Sequence, residues 1–325
     1  MKIICLVNSF GPMGSSVISS VLEHMGFLNL PLRKLKLDEY LMGFRNMKDK
    51  TMIKNFLNRI EDHKKPQFHG GVSVISKNKK INEKSLINFN LIKDEIKSLN
   101  TKNYSSAVEL YIHLREIYNN ALNYKNSIKN YKGHVELTVK LHKYNTKKLY
   151  KVYLKNFDEV YFINVNRNFI TWFSSLSGQW FSKKKINLNF FFYDFRKVYD
   201  EYQQYQKYFS NAPGLKIDFN DIFDPKKNII KEISKYVNFD YKKKNWKNLN
   251  YDLYGKIENY ETTFKKFDDK INILNSLTKK FLEYLIKSNF RSYLYLILFK
   301  ILFFIDSFKF NFLMYKFRSN DMTKK

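Results

Sequence analysis

Residues 11–16 (GPMGSS) hold two glycines with two residues between them, followed directly by Ser15 and Ser16. They lie between an apolar run at 2–8 (KIICLVN) and a stretch with helical spacing. A glycine loop there gathers backbone N–H groups at the positive end of a helix dipole, which is how many folds hold phosphate. Gly11 and Gly14 would shape the loop, and the serine hydroxyls would add donors. The ATP-binding pattern GxxxxGK[ST] puts four residues between its glycines and a lysine before the hydroxyl. This loop has neither, so it reads equally as an anion site and as an ordinary strand-to-helix turn.

Arg167 stands just beyond a second apolar run, 159–165 (EVYFINV), and Ser175 follows eight residues later. An arginine at a strand end and a serine in the next helix can hold one phosphate from two sides. For proton transfer at neutral pH, histidine has the best-placed ordinary pKa. His69, His134, His142 and the carboxylate of Glu136 are the candidates. No HExxH pattern or other histidine cluster suggests zinc, so no metal is expected. No GxSxG or Cys/His arrangement suggests acyl transfer. The one cysteine, Cys5, excludes a disulfide framework within the chain and reads as a core thiol.

These residues need elements to position them. The run at 2–8 reads as a buried strand, and 15–25 as a helix with Val17, Val21, Leu22 and Met25 on one face, stopped by Gly26. Segments 52–60 and 106–122 have helical spacing, and His69-Gly70-Gly71 reads as a turn beside a short strand at 72–75. The run at 159–165 has the continuous apolar character of a parallel strand. A loop at 166–168 and a helix containing Trp172, Phe173 and Leu176 follow it. A tyrosine-rich helix at 194–209 ends at Asn211-Ala212-Pro213-Gly214, and 215–219 is another strand. Asp224-Pro225 reads as the cap and first position of a helix burying Ile229, Ile230, Ile233 and Val237. Asp221 would cap or pin the loop before it. Strands alternating with helices predict an α/β fold, with a three-layer parallel sheet flanked by helices. The less legible stretch between 28 and 130 is expected, from its position, to carry acceptor-binding elements.

Composition bounds the partners. The chain has 325 residues, 44% of them hydrophobic, enough to bury a core. Its net charge of +28 comes mostly from lysine, alongside abundant Asn, Ile, Phe and Tyr, and reads mainly as compositional drift. The lysine runs 77–80, 183–185 and 242–244 read as solvated surface. No Arg-rich, aromatic-interleaved stripe points to nucleic acid. The N-terminal apolar run is too short for a secretory signal, and a cytoplasmic location is expected. The tail departs in character: residues 293–305 (YLYLILFKILFFI) are almost wholly apolar but too short to span a bilayer. They read as a packing helix. The competing reading is an interfacial one over 290–318, at the inner face of the membrane, with Lys300, Lys309, Lys316 and Arg318 among aromatics.

Taken together, the loop at 11–16, the pair Arg167 and Ser175, and the strand–Asp-Pro–helix segment at 214–239 resemble the sulfotransferase family. Its 5′-phosphosulfate loop commonly reads PRSGTT, where this chain has residues 11–16. Its 3′-phosphate element commonly reads RDPRDVVVS, where Arg167 and Ser175 keep the two ends at the same separation. Its later YEDL is echoed by 219–222 (FNDI), and Lys140-Leu141-His142 is similar to its Lys-Thr-Pro segment. Pro12 stands where the family has a basic residue, and Asn168-Phe169 replaces its Asp-Pro. The adenine-side glycine loop has no counterpart beyond the position of Lys242, Lys243, Lys244 and Trp246. The resemblance implies a P-loop NTPase-like domain over 1–263 with a helical basic and aromatic extension over 264–325. It implies transfer of a sulfuryl group from 3′-phosphoadenosine 5′-phosphosulfate to a hydroxyl of a carbohydrate, lipid or small-molecule acceptor. Gly11, Gly14, Ser15, Ser16, Arg167 and Ser175 would bind the cofactor, without metal, and His142, His69 or Glu136 would be the base. A nucleotide-dependent kinase and a catalytically silent relative that binds membrane or a partner are the alternatives.

Overall fold

The computed structural model describes residues 1–11, 14–29, 35, 37–46, 50–63, 68–69, 72–73, 88–99, 104–121, 131–139, 146–183, 194–223, 227–239 and 273–322. Strand β1 (Ile3–Ser9) is buried at all seven positions, as a central parallel strand with both faces covered must be. It pairs in parallel with β5 (Gly133–Val139) on one side and β6 (Glu159–Asn166) on the other. β2 (Phe27–Asn29) adds to β5 and β7 (Leu215–Asp218) to β6, so the sheet order is β2-β5-β1-β6-β7, all parallel. A separate antiparallel pair joins β3 (Phe68–His69) to β4 (Val72–Ser73). The Cys5 thiol is buried in β1, and burial pushes its pKa far up, as expected of a core thiol.

The order has a consequence for ligands. From β1 the chain runs to the β2 edge, returns to β5, then crosses β1 to β6. Connections therefore leave opposite sides of β1, and the carboxyl ends of β1 and its neighbours are the place where open α/β sheets of this kind bind ligands. Helices flank the sheet: α1 (Ser15–His24), α2 (Leu37–Leu41), α3 (Thr51–His63), α4 (Phe89–Ser98), α5 (Ala107–Asn120), α6 (Thr146–Asn156), α7 (Phe169–Lys183), α8 (Phe195–Asn211) and α9 (Ile229–Tyr236). α1, α3, α5 and α8 follow the expected bounds within a few residues, whereas α2, α4 and α6 were not anticipated. Met25 closes α1, and Gly26 with φ 83° carries the chain out of it. Asp194 caps α8 by accepting from the Lys197 amide at 3.1 Å.

Two elements differ from expectation. β5, the direct neighbour of β1, was not anticipated: its GHVELTV alternates polar with apolar residues, the pattern of a strand with one face in water and not of a doubly covered parallel strand. Its polar residues His134 and Glu136 are nonetheless buried. The helix expected from Asp224-Pro225 begins instead at Ile229, capped by Asn228, whose side chain accepts from the Lys231 amide at 3.1 Å. Asp224 and Pro225 lie outside the described residues. Before them, β7 tightens into a 3-10 turn over Phe219–Phe223. Asp221 does pin this segment: its Oδ1 lies 2.7 Å from the Lys227 ammonium.

The C-terminal helices α10 (Ser276–Lys287) and α11 (Tyr293–Met322) pack on each other and on α7. Phe299, Phe303 and Phe310 enter the same core as Phe173 and Phe181. No helix of the described residues is long and apolar enough to cross a membrane. Buried Asp306 of α11 ties the pair together. It accepts from the Asn275 amide (3.0 Å), the Asn275 side chain (2.6 Å) and the Thr278 hydroxyl (2.7 Å). Asn275 in turn caps α10. Asp306→Ala strands those donors and is expected to lower unfolding free energy by about 2–3 kcal/mol, read by urea denaturation.

Candidate functional site

Three chain stretches singled out by sequence meet at the carboxyl end of the sheet. The first is the turn between β1 and α1. Gly14 caps α1 in the left-handed conformation, φ 94°, and its carbonyl accepts from Val17 (3.0 Å) and Ile18 (3.3 Å). The Ser9 hydroxyl, at the end of β1, spans the turn to the Gly11 carbonyl (3.3 Å) and the Ser15 hydroxyl (3.0 Å). Phe10 stacks on Trp172 of α7 at 4.9 Å, and the Trp172 indole N–H donates to the Phe10 carbonyl. The turn is thus fastened to the helix that follows β6. Ser16 occupies α1, but its side chain lies outside the description, as do Pro12 and Met13.

The second stretch carries Arg167. The guanidinium Nη1 donates to Ser175 Oγ at 2.8 Å and Nε to Thr171 Oγ1 at 3.2 Å. The spacing expected to bring Arg167 and Ser175 together does so across the first turns of α7. The side chain is largely buried, with the residue 8% exposed. Tyrosines of α8 hold the strand end that presents it. Tyr202 donates to the Arg167 carbonyl at 2.8 Å, and Tyr205 to the Val165 carbonyl at 2.6 Å. Burial, and next the Asp218 carboxylate, push Tyr202 up to about 12, so it remains a donor at neutral pH.

The third stretch supplies the joint between the others. Phe219, at the end of β7, lies under the Arg167 guanidinium, 4.0 Å from ring centroid to Cζ. The opposite contact is with Gly14: a Cβ there would sit 2.4 Å from Phe219 Cδ2. The glycine loop and the arginine therefore share one aromatic spacer. Any side chain at Gly14 meets both a strained backbone and this ring. Gly14→Ala is expected to cost about 2–3 kcal/mol, read by thermal or urea unfolding. Sequence offers no signal for Phe219 in this role, since the contact joins positions 205 residues apart by number (219 minus 14).

The candidate bases fall elsewhere. His142 lies outside the described residues, and His69 is described only as backbone in β3. Glu136 pairs in register with Leu6, mid-sheet. It accepts from the Tyr111 hydroxyl and lies 3.3 Å from Arg115 Nη1. Arg115 Nη2 also donates to the Leu28 and Val135 carbonyls, each at 2.8 Å, sewing α5 to the sheet edge. Arg115 was not anticipated; the one signal for it is a charge amid the apolar residues Leu114, Ile117 and Tyr118. His134 beside it is buried, with no hydrogen-bond partner for Nδ1 among the described residues. Burial first, and then the Arg115 charge, drive its pKa down to about 3. The unfolded chain protonates this histidine near its ordinary 6.5 while the folded chain does not. Its contribution to stability is thus whole above that pH and drains away as pH falls towards 3. In His134→Phe the slope of unfolding free energy between those values should flatten.

Among the described residues no group of histidine, cysteine and carboxylate side chains could hold a metal ion. What the arrangement can do is hold an oxyanion: a buried guanidinium and a hydroxyl within bonding distance, adjoining a helix N-terminus with further hydroxyls. No family model matches this chain, and no curated protein or solved structure matches it either.

Proposed function

We propose that the chain is a sulfotransferase, built on a P-loop NTPase-like sheet, that uses 3′-phosphoadenosine 5′-phosphosulfate. The observation that carries this reading is the Arg167–Ser175 pair, 2.8 Å apart at the end of β6 and joined through Phe219 to the glycine turn after β1. In the proposal the pair takes the 3′-phosphate. The turn at Gly11 and Gly14, with Ser15 and Ser16, takes the 5′ side, where the α1 dipole favours negative charge. An acceptor hydroxyl oxygen attacks sulfur, the bond from sulfur to the bridging phosphate oxygen breaks, and adenosine 3′,5′-bisphosphate leaves. The hydroxyl proton passes to a base. Glu136 is engaged by Arg115 and Tyr111, so this role falls to His69 or His142.

Pro12 leaves the turn without the cation that would steady the leaving oxygen. A lysine reaching in from elsewhere in the chain would have to supply it. The turn also lacks a lysine directly before its serines, which weighs against the kinase alternative, since a kinase needs one on the β- and γ-phosphates. Incubation with sulfur-labelled cofactor and a panel of carbohydrate and lipid hydroxyl acceptors tests the reading. Appearance of labelled acceptor with equimolar bisphosphate supports it. ATP consumption with magnesium, and no sulfuryl transfer, would move the protein to the kinases.

A further inference from the structure

As far as Phe312 the helix α11 is apolar on two opposite faces, and among the described residues only one of them is covered. Phe299, Phe303, Asp306, Ser307 and Phe310 turn inward and are buried. Leu294, Ile297, Ile301, Ile305, Phe308 and Phe312 recur every three or four residues and so form one stripe. All six are exposed, from 38% at Ile297 to 63% at Leu294. The stripe runs about 27 Å, at 1.5 Å per residue. It continues onto α10 through Tyr295, whose ring lies 5.5 Å from that of exposed Tyr284. A soluble surface seldom leaves so long a contiguous apolar patch open to water.

We infer that this face is a docking surface for an anionic lipid bilayer, on which α11 lies flat at the headgroup boundary. Charge at the rim selects this occupant. Exposed Lys280 and Lys287 flank Tyr284 on α10, Arg291 sits in the turn, and exposed Lys309 borders the stripe between Ile305 and Phe312. Glu283 is the only exposed carboxylate of α10 and of α11 as far as Phe312. An apolar stripe rimmed by cations is what interfacial helices use, the stripe entering the acyl boundary and the cations meeting acidic headgroups. A second copy of the chain would instead bring two lysine-rimmed faces of a +28 protein together. The half-buried Leu298, Leu302 and Phe304 also widen the apolar arc beyond a two-helix seam. Because α11's inner face is packed on α7, the helix lies on the bilayer rather than crossing it. The reading is independent of the nucleotide proposal. It places the bilayer one helix away from α7, which carries Ser175.

The test is vesicle flotation of the full chain, with phosphatidylcholine–phosphatidylserine vesicles against phosphatidylcholine alone. Co-flotation with the anionic vesicles, weakening as salt rises, is expected. Ile301→Glu with Phe308→Glu, both at exposed positions, should cut binding at least about tenfold with unfolding temperature unchanged. Lys287→Glu with Lys309→Glu, which leaves the helix packing alone, should weaken anionic-vesicle binding and spare the phosphatidylcholine baseline. No flotation of the wild-type chain, or flotation of both variants equal to that of wild type, overturns the inference. So does a concentration-dependent dimer in sedimentation that the glutamate pair dissolves in the absence of vesicle binding, since a second copy would then cover the face.

Discussion

Under the proposed function, Arg167→Ala is expected to weaken binding of adenosine 3′,5′-bisphosphate about a hundredfold. A buried guanidinium facing a phosphate forms charge-assisted bonds, and truncating one partner of such a pair costs about 2–5 kcal/mol. The effect has to be separated from folding, because Arg167 also holds Ser175 and Thr171 and covers Phe219. Arg167→Lys makes that separation. It keeps a cation over the ring but loses the planar fork, so affinity should fall by an intermediate factor while unfolding moves little. Ser175→Ala removes one hydroxyl donor and should cost several-fold. Titration calorimetry on the three variants, each checked by thermal unfolding, reads the series. Equal affinity in wild type and Arg167→Ala would remove Arg167 from the binding site.

Glu136→Ala is expected to be the most damaging single change to stability, lowering unfolding free energy by about 3–5 kcal/mol. The side chain neutralises Arg115, which is 1% exposed, and without it a guanidinium is left buried and unpaired. The Tyr111 hydroxyl loses its acceptor as well. Because the penalty comes from the stranded charge, removing both ends should hurt less than removing one. Glu136→Leu combined with Arg115→Met should regain a large part of the loss, and the double-mutant cycle in urea measures the coupling. A proton-transfer role would show differently: Glu136→Gln would abolish turnover while the double variant's recovered stability brought no activity back.

How much was legible follows from where each signal resides. β1 and β6 announce themselves because strands buried on both faces must be apolar throughout. α1 and α8 are marked by a glycine and an aspartate that close their ends. The Arg167–Ser175 contact was readable because a strand end followed by one helix fixes the distance between positions eight apart. β5 was not readable. Its buried His134 and Glu136 resemble an exposed face until Arg115, from a helix about twenty positions earlier, is placed against them. Phe219 and Gly14 likewise meet only through the tertiary fold. The apolar tail was legible as a helix, but its division into a covered and an open face depends on α7 and α10, which periodicity in α11 alone cannot reveal.

In the proposed function the carboxyl ends of β1 and β6 bind a 3′-phosphorylated adenine nucleotide. Titration calorimetry of the whole chain with adenosine 3′,5′-bisphosphate, beside ATP with magnesium, tests it most directly. Saturable binding of the bisphosphate at one site per chain, lost in Arg167→Ala and not matched by ATP, is the predicted result. Binding of ATP with magnesium in preference to the bisphosphate, or of neither nucleotide, would contradict it.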